Sequence, residues 1–288
     1  MDSLQQAIQD VQRGKLSQRA AAKKYNVPRS TLQDNIIRLF RTPTPKSIPV
    51  VSENACVLVI SDMHAPYNHP DMIPFLEAIK QKYKPDRVIG IGDELDYHAL
   101  SFHDSDPDLP SASGELKLGQ AVLRQVAHLF PDVDLVDSNH GSMAFRRAKA
   151  HGIPRHLIVS YRDAIFEREG GDGWNWHQRL TVTLSNGQKC VFVHTAGVDC
   201  LRNAEHLGMC FVQGHHHEKF EIRYSSNPEK LYWGMTVGCL IDDDQLAFAY
   251  NKLNRCRPLI GCGIIIDGLP KLLPMVLESG GQWNGVCP

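Results

Sequence analysis

Val88-Ile89-Gly90-Ile91-Gly92-Asp93-Glu94-Leu95-Asp96 decides how the rest of the chain is read. A short β-branched run that halts at Gly-Asp predicts a buried strand delivering a carboxylate to the carboxyl edge of a sheet, where ligands collect in open α/β folds. Asp93 is thereby placed to hold something. Other strand-like runs end the same way, on Asp62 and His64, on Asn139 and His140, on His194, and on His215 and His217. Hard oxygen and borderline imidazole donors gathered at one sheet edge suit a pair of Mn, Fe or Zn ions.

Upstream of that stretch, Val57 to Ile60 is a continuous apolar run followed at once by Ser61-Asp62-Met63-His64. Residues i and i+2 of a strand end point the same way, so Asp62 and His64 are expected to grip one ion together. Met72, Phe75, Leu76 and Ile79 mark one face of a helix that Asp71 is placed to cap, and Pro85 ends it. Downstream, Leu116 to Phe130 predicts a helix, and Val133 to Val136 a strand that ends at Asp137-Ser138-Asn139-His140-Gly141. The alternation of Leu180 to Leu184, then Asn186-Gly187, then Cys190 to Val193 predicts a hairpin whose second arm delivers His194. A helical segment from Val198 to Leu207 precedes Cys210 to Gln213, which delivers Gly214-His215-His216-His217, with His216 pointing away from its neighbours' ligand. Runs at Lys219 to Tyr224, Leu231 to Val237, Leu246 to Tyr250 and Leu259 to Ile266 read as strands of a second sheet packed on the first. The expectation is an α/β body of two packed mixed β-sheets flanked by helices.

A chain of 288 residues with 42% hydrophobic content has room for one such body plus an accessory unit. Its eight cysteines include no Cys-x-x-Cys pair and several lie in apolar runs, so reduced thiols are expected rather than disulfides or a zinc ribbon. No secretory apolar region follows Met1, and no apolar stretch approaches the roughly 18 residues of a membrane span, which predicts a cytoplasmic protein with no membrane partner. Charge is uneven. Residues 1–46 carry nine Lys or Arg against three Asp, a net of +6, whereas the remainder carries 22 against 29, a net of −7. The small basic unit, not the acidic body, is therefore the part suited to meet a polyanion.

That unit reads as three short helices: Leu4, Ala7, Ile8 and Val11 set the first, Ser17 caps the second through Tyr25, and Ser30 caps a third carrying Leu32, Ile36 and Ile37. The run from Gly14-Lys15-Leu16-Ser17 through Lys23-Lys24-Tyr25-Asn26-Val27-Pro28-Arg29-Ser30-Thr31-Leu32 resembles the pipsqueak-type helix-turn-helix family. The resemblance implies that Arg29, Ser30, Thr31 and Gln33 begin the element that enters a DNA major groove, with Lys23 and Lys24 near phosphates. A small helical bundle for protein contacts is the alternative. One such module binds DNA weakly at physiological salt, so a homo-oligomer or a second contact is implied. The boundaries expected are residues 1–40 for this domain, a proline-rich linker over 41–53, and a body over 54–288.

Taken in order, Asp62-x-His64, Gly92-Asp93-x-x-Asp96, Asn139-His140, His194 and Gly214-His215-x-His217 resemble the calcineurin-like metallophosphoesterase superfamily, over residues 56 to about 220. The resemblance implies that Asp62, His64 and His217 hold one divalent ion and Asn139, His194 and His215 a second, with Asp93 shared. Mn2+ is the favoured metal, with Fe, Zn, Ni or Mg as alternatives. It also implies that His140 is the general acid for the leaving oxygen and that Asp96 orients it. Two departures stand out: Ser138 replaces the family's usual Gly before the Asn-His pair, and Gly141 its usual acidic residue after it. Arg146 and Arg147 are candidates for substrate phosphate, because a guanidinium matches phosphoryl oxygens. Trp174 and Trp176 read as core aromatics, with base stacking as the alternative, and the acidic loop from Asp104 to Pro110 as a solvated loop or a wall of the substrate pocket. The implied activity is hydrolysis of phosphodiester bonds in nucleic acid or nucleotides, since joining a DNA-binding type of module to such a body resembles phage-type enzymes. The alternatives are a phosphomonoesterase such as a protein phosphatase, or a DNA-binding regulator with a structural metal site.

Overall fold

The structure is a computed structural model that describes residues 2–40, 54–101, 106–167, 170–248 and 257–288. The chain divides into two compact units, residues 1–50 and 51–288. The linker expected over 41–53 lies outside the described residues.

In the first unit, α1 (Ser3–Gln12), α2 (Gln18–Lys24) and α3 (Arg29–Phe40) close on Ala7, Ile8, Ala21, Ala22 and Leu32. Small alanines at the α1–α2 crossing let the helices approach closely, which a unit this short needs to build any core. Asp2 and Ser17 cap the first two helices, accepting from Leu4 and Ala20. The Tyr25 hydroxyl donates to Asp10 at 2.6 Å, tying the end of α2 to α1. Ser30 was expected as a cap, but α3 begins one residue earlier, at Arg29, so Ser30 sits inside the first turn.

Strand β1 (Cys56–Ile60) shows why the body is layered. Its buried side chains alternate, with Val57 and Val59 in one apolar cluster and Leu58 and Ile60 in another. The first sheet has the order β11-β10-β1-β2-β3-β4, with β2 Arg87–Gly90, β3 Asp132–Val136, β4 Gly173–His177, β10 Gly261–Ile266 and β11 Leu269–Pro274. Strands β1 to β4 run parallel. The second sheet has the order β5-β6-β7-β9-β8, with β5 Leu180–Thr183, β6 Lys189–Val193, β7 Cys210–Gln213, β8 Glu221–Ser226 and β9 Leu231–Thr236.

Val57, Val59 and Ile89 meet Phe192, Val212, Trp233 and Met235 between the sheets. At about 1.5–3 kcal/mol per fully buried large apolar side chain, this layer is a main source of cohesion. Helices α4 (Met72–Tyr83) and α5 (Ala112–Leu129) cover the outer face of the first sheet through Phe75, Leu76, Ile79, Leu123 and Val126. Helix α8 (Cys200–Leu207) covers the second through Cys200 and Ala204. Helices α6 (Met143–Ala150) and α7 (Tyr161–Phe166) lie in the β3–β4 connection. The two mixed sheets flanked by helices are those expected from the sequence.

Three local expectations are corrected. The run Leu259 to Ile266 does not join the second sheet: as β10 it pairs antiparallel with β1 in the first and recruits β11. Residues 246–248 form a tight helical turn, closed by the Phe248 amide donating to the Gln245 carbonyl, and the rest of that expected strand lies outside the described residues. Asp71 does not cap α4 with its side chain; its carboxylate accepts from the Trp283 amide at 2.9 Å. Trp174 and Trp176, read as core aromatics, lie in β4, where Trp174 is buried. Among the described residues seven cysteines are free thiols, and no helix there is long and apolar enough to cross a membrane.

Candidate metal centre

The parallel strands β1, β2 and β3 of one sheet, and β6 and β7 of the other, each run into a loop that carries ligand-type residues. The loops after β1 and β2 stay in register: the Asp62 amide donates to Gly92, and the His64 amide to Asp93. Asp62 and His64 do not converge by strand alternation, however. Asp62, His64, Asp93 and His215 all adopt left-handed backbone, with φ of 50°, 49°, 54° and 68°. Each such non-glycine residue costs on the order of 1–3 kcal/mol and persists only where surrounding contacts over-determine it, a pattern that collects at functional sites.

The glycines of the two motifs have a steric reason. A Cβ on Gly92, whose φ is +95°, would lie 2.5 Å from Ser138 Cβ and 2.9 Å from His194 Nδ1. One on Gly214 would collide with Ser61 and Asp62. Only glycine lets these backbones pass so close to the ligand-type side chains.

Among the described residues His64, Asp96 and His140 form one three-residue group of donor atoms, and two more lie beside it, Asp62 with His64 and His217, and Asp93 with His194 and His215. The Asp93 carboxylate stands between them: Oδ2 is 3.6 Å from His64 Nε2 and 3.1 Å from His194 Nε2. His217 Nε2 is 3.2 Å from Asp62 Oδ1, and His194 Nε2 is 3.2 Å from His215 Nδ1. Asp62, His64, Asp93 and His194 are buried, whereas His217 is half-buried and His215 exposed. His216 turns away, its Nε2 3.1 Å from the Gly197 carbonyl.

The donor set fits divalent metals. His64 and His194 are each anchored through Nδ1, to the Asp96 carboxylate at 2.6 Å and to the Ile91 carbonyl at 2.9 Å, which leaves Nε2 as the ligating atom. His64 Nε2 and Asn139 Oδ1 are buried without a hydrogen-bond partner, a costly state that a cation would relieve. Electrostatics agree. Burial alone would raise the Asp62 carboxyl, but hydrogen bonds with His217 and His64 hold it well below the usual carboxylate range. Burial likewise opposes ionisation of His194, yet Asp93 pushes its imidazole up to about 9. The carboxylates and the buried imidazoles thus stabilise one another's charged forms.

His140 is half-buried, with its Nε2 4.0 Å from Asp93 Oδ2 and its amide donating to Asp93 Oδ1 at 3.1 Å. Its Nδ1 makes a short hydrogen bond to the Asp96 main-chain carbonyl, which fixes the Nδ1–H tautomer and leaves Nε2 toward the cluster. The Asp96 side chain was expected to orient His140; it binds His64 instead, and is 3.7 Å from His140. Burial lowers the His140 pKa, against the pull of Asp93 and Asp96.

Arg146 and Arg147, the candidates for substrate phosphate, are engaged with main-chain carbonyls. Arg146 donates to the Asn139 carbonyl at 2.8 Å, and Arg147 to the Leu100 and Ser101 carbonyls, so both brace loops around the site. Ser138 is a positioning residue that sequence reasoning treated only as tolerated. Its hydroxyl accepts from the Asp93 amide at 3.0 Å and the Gly141 amide at 3.1 Å, joining the two ligand loops, and its backbone is not in the positive-φ region. The signal was its departure from glycine. Leu109, in the acidic loop, packs with Tyr67 and Phe248, and the Phe248 ring stands edge-on to His64 at 5.7 Å; residues 102–105 lie outside the described residues.

In the first unit Lys23, Lys24, Arg29, Ser30, Thr31 and Gln33 are all exposed while Leu32 between them is buried. Lys24 is ion-paired to Asp10 at 3.3 Å.

Residues 1–40 match the family of the helix-turn-helix, Psq domain. No curated protein matches the sequence. Among solved structures, the chain is similar to Vps29 from Chaetomium thermophilum, with 12% identity, a TM-score of 0.41, and coverage of 81% of this chain and 94% of that one. It is also similar to Vacuolar Protein Sorting 29 from Cryptosporidium Parvum, at 14% identity and TM-score 0.43, over 80% of this chain and 94% of that one. YfcE, a phosphoesterase from E. coli, is similar at 11% identity and TM-score 0.37, over 80% and 96%. Residues 1–40 thus match a helix-turn-helix family, ahead of a two-sheet α/β body.

Proposed function

We propose that the body over residues 54–288 is a dinuclear metal-dependent phosphoesterase that hydrolyses phosphodiester bonds of nucleic acid or nucleotides. The observation that carries this reading is the Asp93 carboxylate, set within 3.6 Å of a ligand nitrogen of either donor group. Asp62, His64 and His217 would hold one cation and Asn139, His194 and His215 the other, with Asp93 common to both. When bound, a Mn2+ or similar pair supplies an activated water and offsets charge on the phosphoryl group.

The chain's own groups do the rest. In hydrolysis a water oxygen forms a bond to phosphorus as the bond to the leaving oxygen breaks, and that oxygen needs a proton. His140 is placed to supply it from Nε2, because its Nδ1–H is committed to the Asp96 carbonyl. Asp96 fixes His64, Ser138 holds the Asp93 and Asn139 loops together, and Arg146 braces the Asn139 carbonyl. A panel of bis-p-nitrophenyl phosphate, p-nitrophenyl phosphate, and single-stranded and duplex DNA, run on metal-reconstituted protein, tests the assignment. Turnover of the diesters is expected to exceed that of the monoester. A monoester preference would make the protein a phosphomonoesterase, and bound metal with no hydrolysis of any substrate would sink the enzyme reading.

The Psq-type unit is the proposed DNA contact, through the exposed edge of α3 from Arg29 to Gln33 with Lys23 and Lys24 beside it. Deleting residues 1–45 is expected to remove most DNA affinity at physiological salt and to flatten the slope of log K against log salt. Fluorescence anisotropy at several salt concentrations checks this, and an unchanged slope would move DNA binding to the body.

A further inference from the structure

A cavity of about 470 Å³ opens beside the Asn139–His140 loop, with Ser138, Gly141 and Ser142 in its wall. Four aromatic side chains form much of the rest, beside Val136, Ile158 and Val159, and Asp137 and Arg162 also line it. Tyr97 and Tyr161 lie 6.0 Å apart and Tyr161 meets Trp176 edge-on at 5.8 Å, so three rings form a continuous surface, and Phe145 completes it. The Arg155 guanidinium lies 5.2 Å over the Phe145 ring and makes no ion pair among the described residues. From Gly141 to Tyr161 the chain has Arg146, Arg147, Lys149 and Arg155 but no Asp or Glu.

Each of these features has the same chemical sense. Aromatic faces stack on a base, and an unpaired guanidinium suits a flanking phosphate. The volume is in the range of small-molecule pockets. Gly141 bears on it directly: a Cβ there would lie 3.1 Å from Ser138 Oγ and 3.3 Å from Tyr161 Cε1, so a larger side chain at this position would press on the aromatic wall.

We propose that this cavity is a nucleobase subsite that receives the unstacked base of a nucleotidyl phosphodiester while its phosphate lies at the Asp93-centred cluster, a reading that rests on the phosphodiesterase assignment. A paired base within a duplex cannot enter it, so the substrate class is a single strand, a strand end or a mononucleotidyl diester.

Two measurements on the full-length protein separate the subsite from the activity. In kinetics, the metal-reconstituted wild type is expected to favour thymidine 5′-p-nitrophenyl phosphate over methyl p-nitrophenyl phosphate by at least about tenfold in kcat/KM. Ala144→Trp, which fills the cavity from α6, should bring that ratio close to one, mainly by raising KM. In calorimetry without metal, deoxyadenosine 5′-monophosphate should bind the wild type more tightly than deoxyribose 5-phosphate, and Ala144→Trp should remove the difference. Arg155→Gln, an exposed substitution with little bearing on folding, should weaken the nucleotide severalfold. If the wild type hydrolyses neither diester but the base-dependent binding is found, the activity falls and the subsite stands. A substrate ratio near one in the wild type, or base-independent binding that Ala144→Trp leaves unaltered, overturns the subsite.

Discussion

Asp93→Ala is expected to lose phosphoester hydrolysis by on the order of 10³-fold or more, and to lose metal with it, because the substitution removes a carboxylate that lies within 3.6 Å of a ligand nitrogen of each donor group. Without it, His64 and His194 lose the negative neighbour that holds their Nε2 atoms facing one another across the site. Asp93→Asn is the informative companion, since it keeps the volume and an oxygen able to accept from the His140 amide but removes the charge. Metal content by mass spectrometry, alongside diester turnover, is the measurement. Full metal loading in both variants would mean that Asp93 is not a shared ligand.

His140→Ala should behave differently, keeping its metal and slowing turnover by about 10²–10⁴-fold. Its imidazole is tied to the Asp96 carbonyl and, although it groups with His64 and Asp96, it belongs to neither the Asp62–His64–His217 nor the Asp93–His194–His215 set, so its loss leaves those donors in place. A proton donor matters most when the departing oxygen is basic. The defect is therefore expected to be larger for alkyl diesters and DNA than for p-nitrophenyl diesters, whose leaving group departs without help. Loss of metal equal to that of Asp93→Ala, or a defect independent of the leaving group, would remove His140 from the role of acid. The absence of a carboxylate at Gly141 bears on the same comparison: Ser138 takes over the task of holding the loop, through the amides of Asp93 and Gly141, but adds no charge beside His140.

Much of this protein was readable in one dimension. The apolar runs that end at Asp62, Asp93, Asn139, His194 and His215 state their own strands, because a β-branched run followed by Gly or a ligand-type residue has few other solutions. The helix-turn-helix was equally plain, since caps, small crossing residues and a proline at the second turn all act within a few positions of one another. Residue types at strand ends are local facts too, which is why the candidate donors could be named before any coordinates.

Distance along the chain marks where such reading ended. That β10 and β11 extend the first sheet follows from pairing with β1 across about two hundred residues, and the local alternation of β10 is the same whichever sheet it joins. The directions of the side chains were hidden for a similar reason. Asp62, His64 and Asp93 converge through left-handed backbone held by cross-loop hydrogen bonds, not through strand periodicity. Asp96 turns to His64, Arg146 and Arg147 turn to main-chain carbonyls, and an aromatic cavity forms between Tyr97, Tyr161 and Trp176, all because partners from other segments compete for each group. Composition and local pattern thus determined which residues stand at the sheet edges, and tertiary packing decided what each of them faces, since a side chain's partner is set by the lowest-energy arrangement of segments that the sequence brings together only after folding.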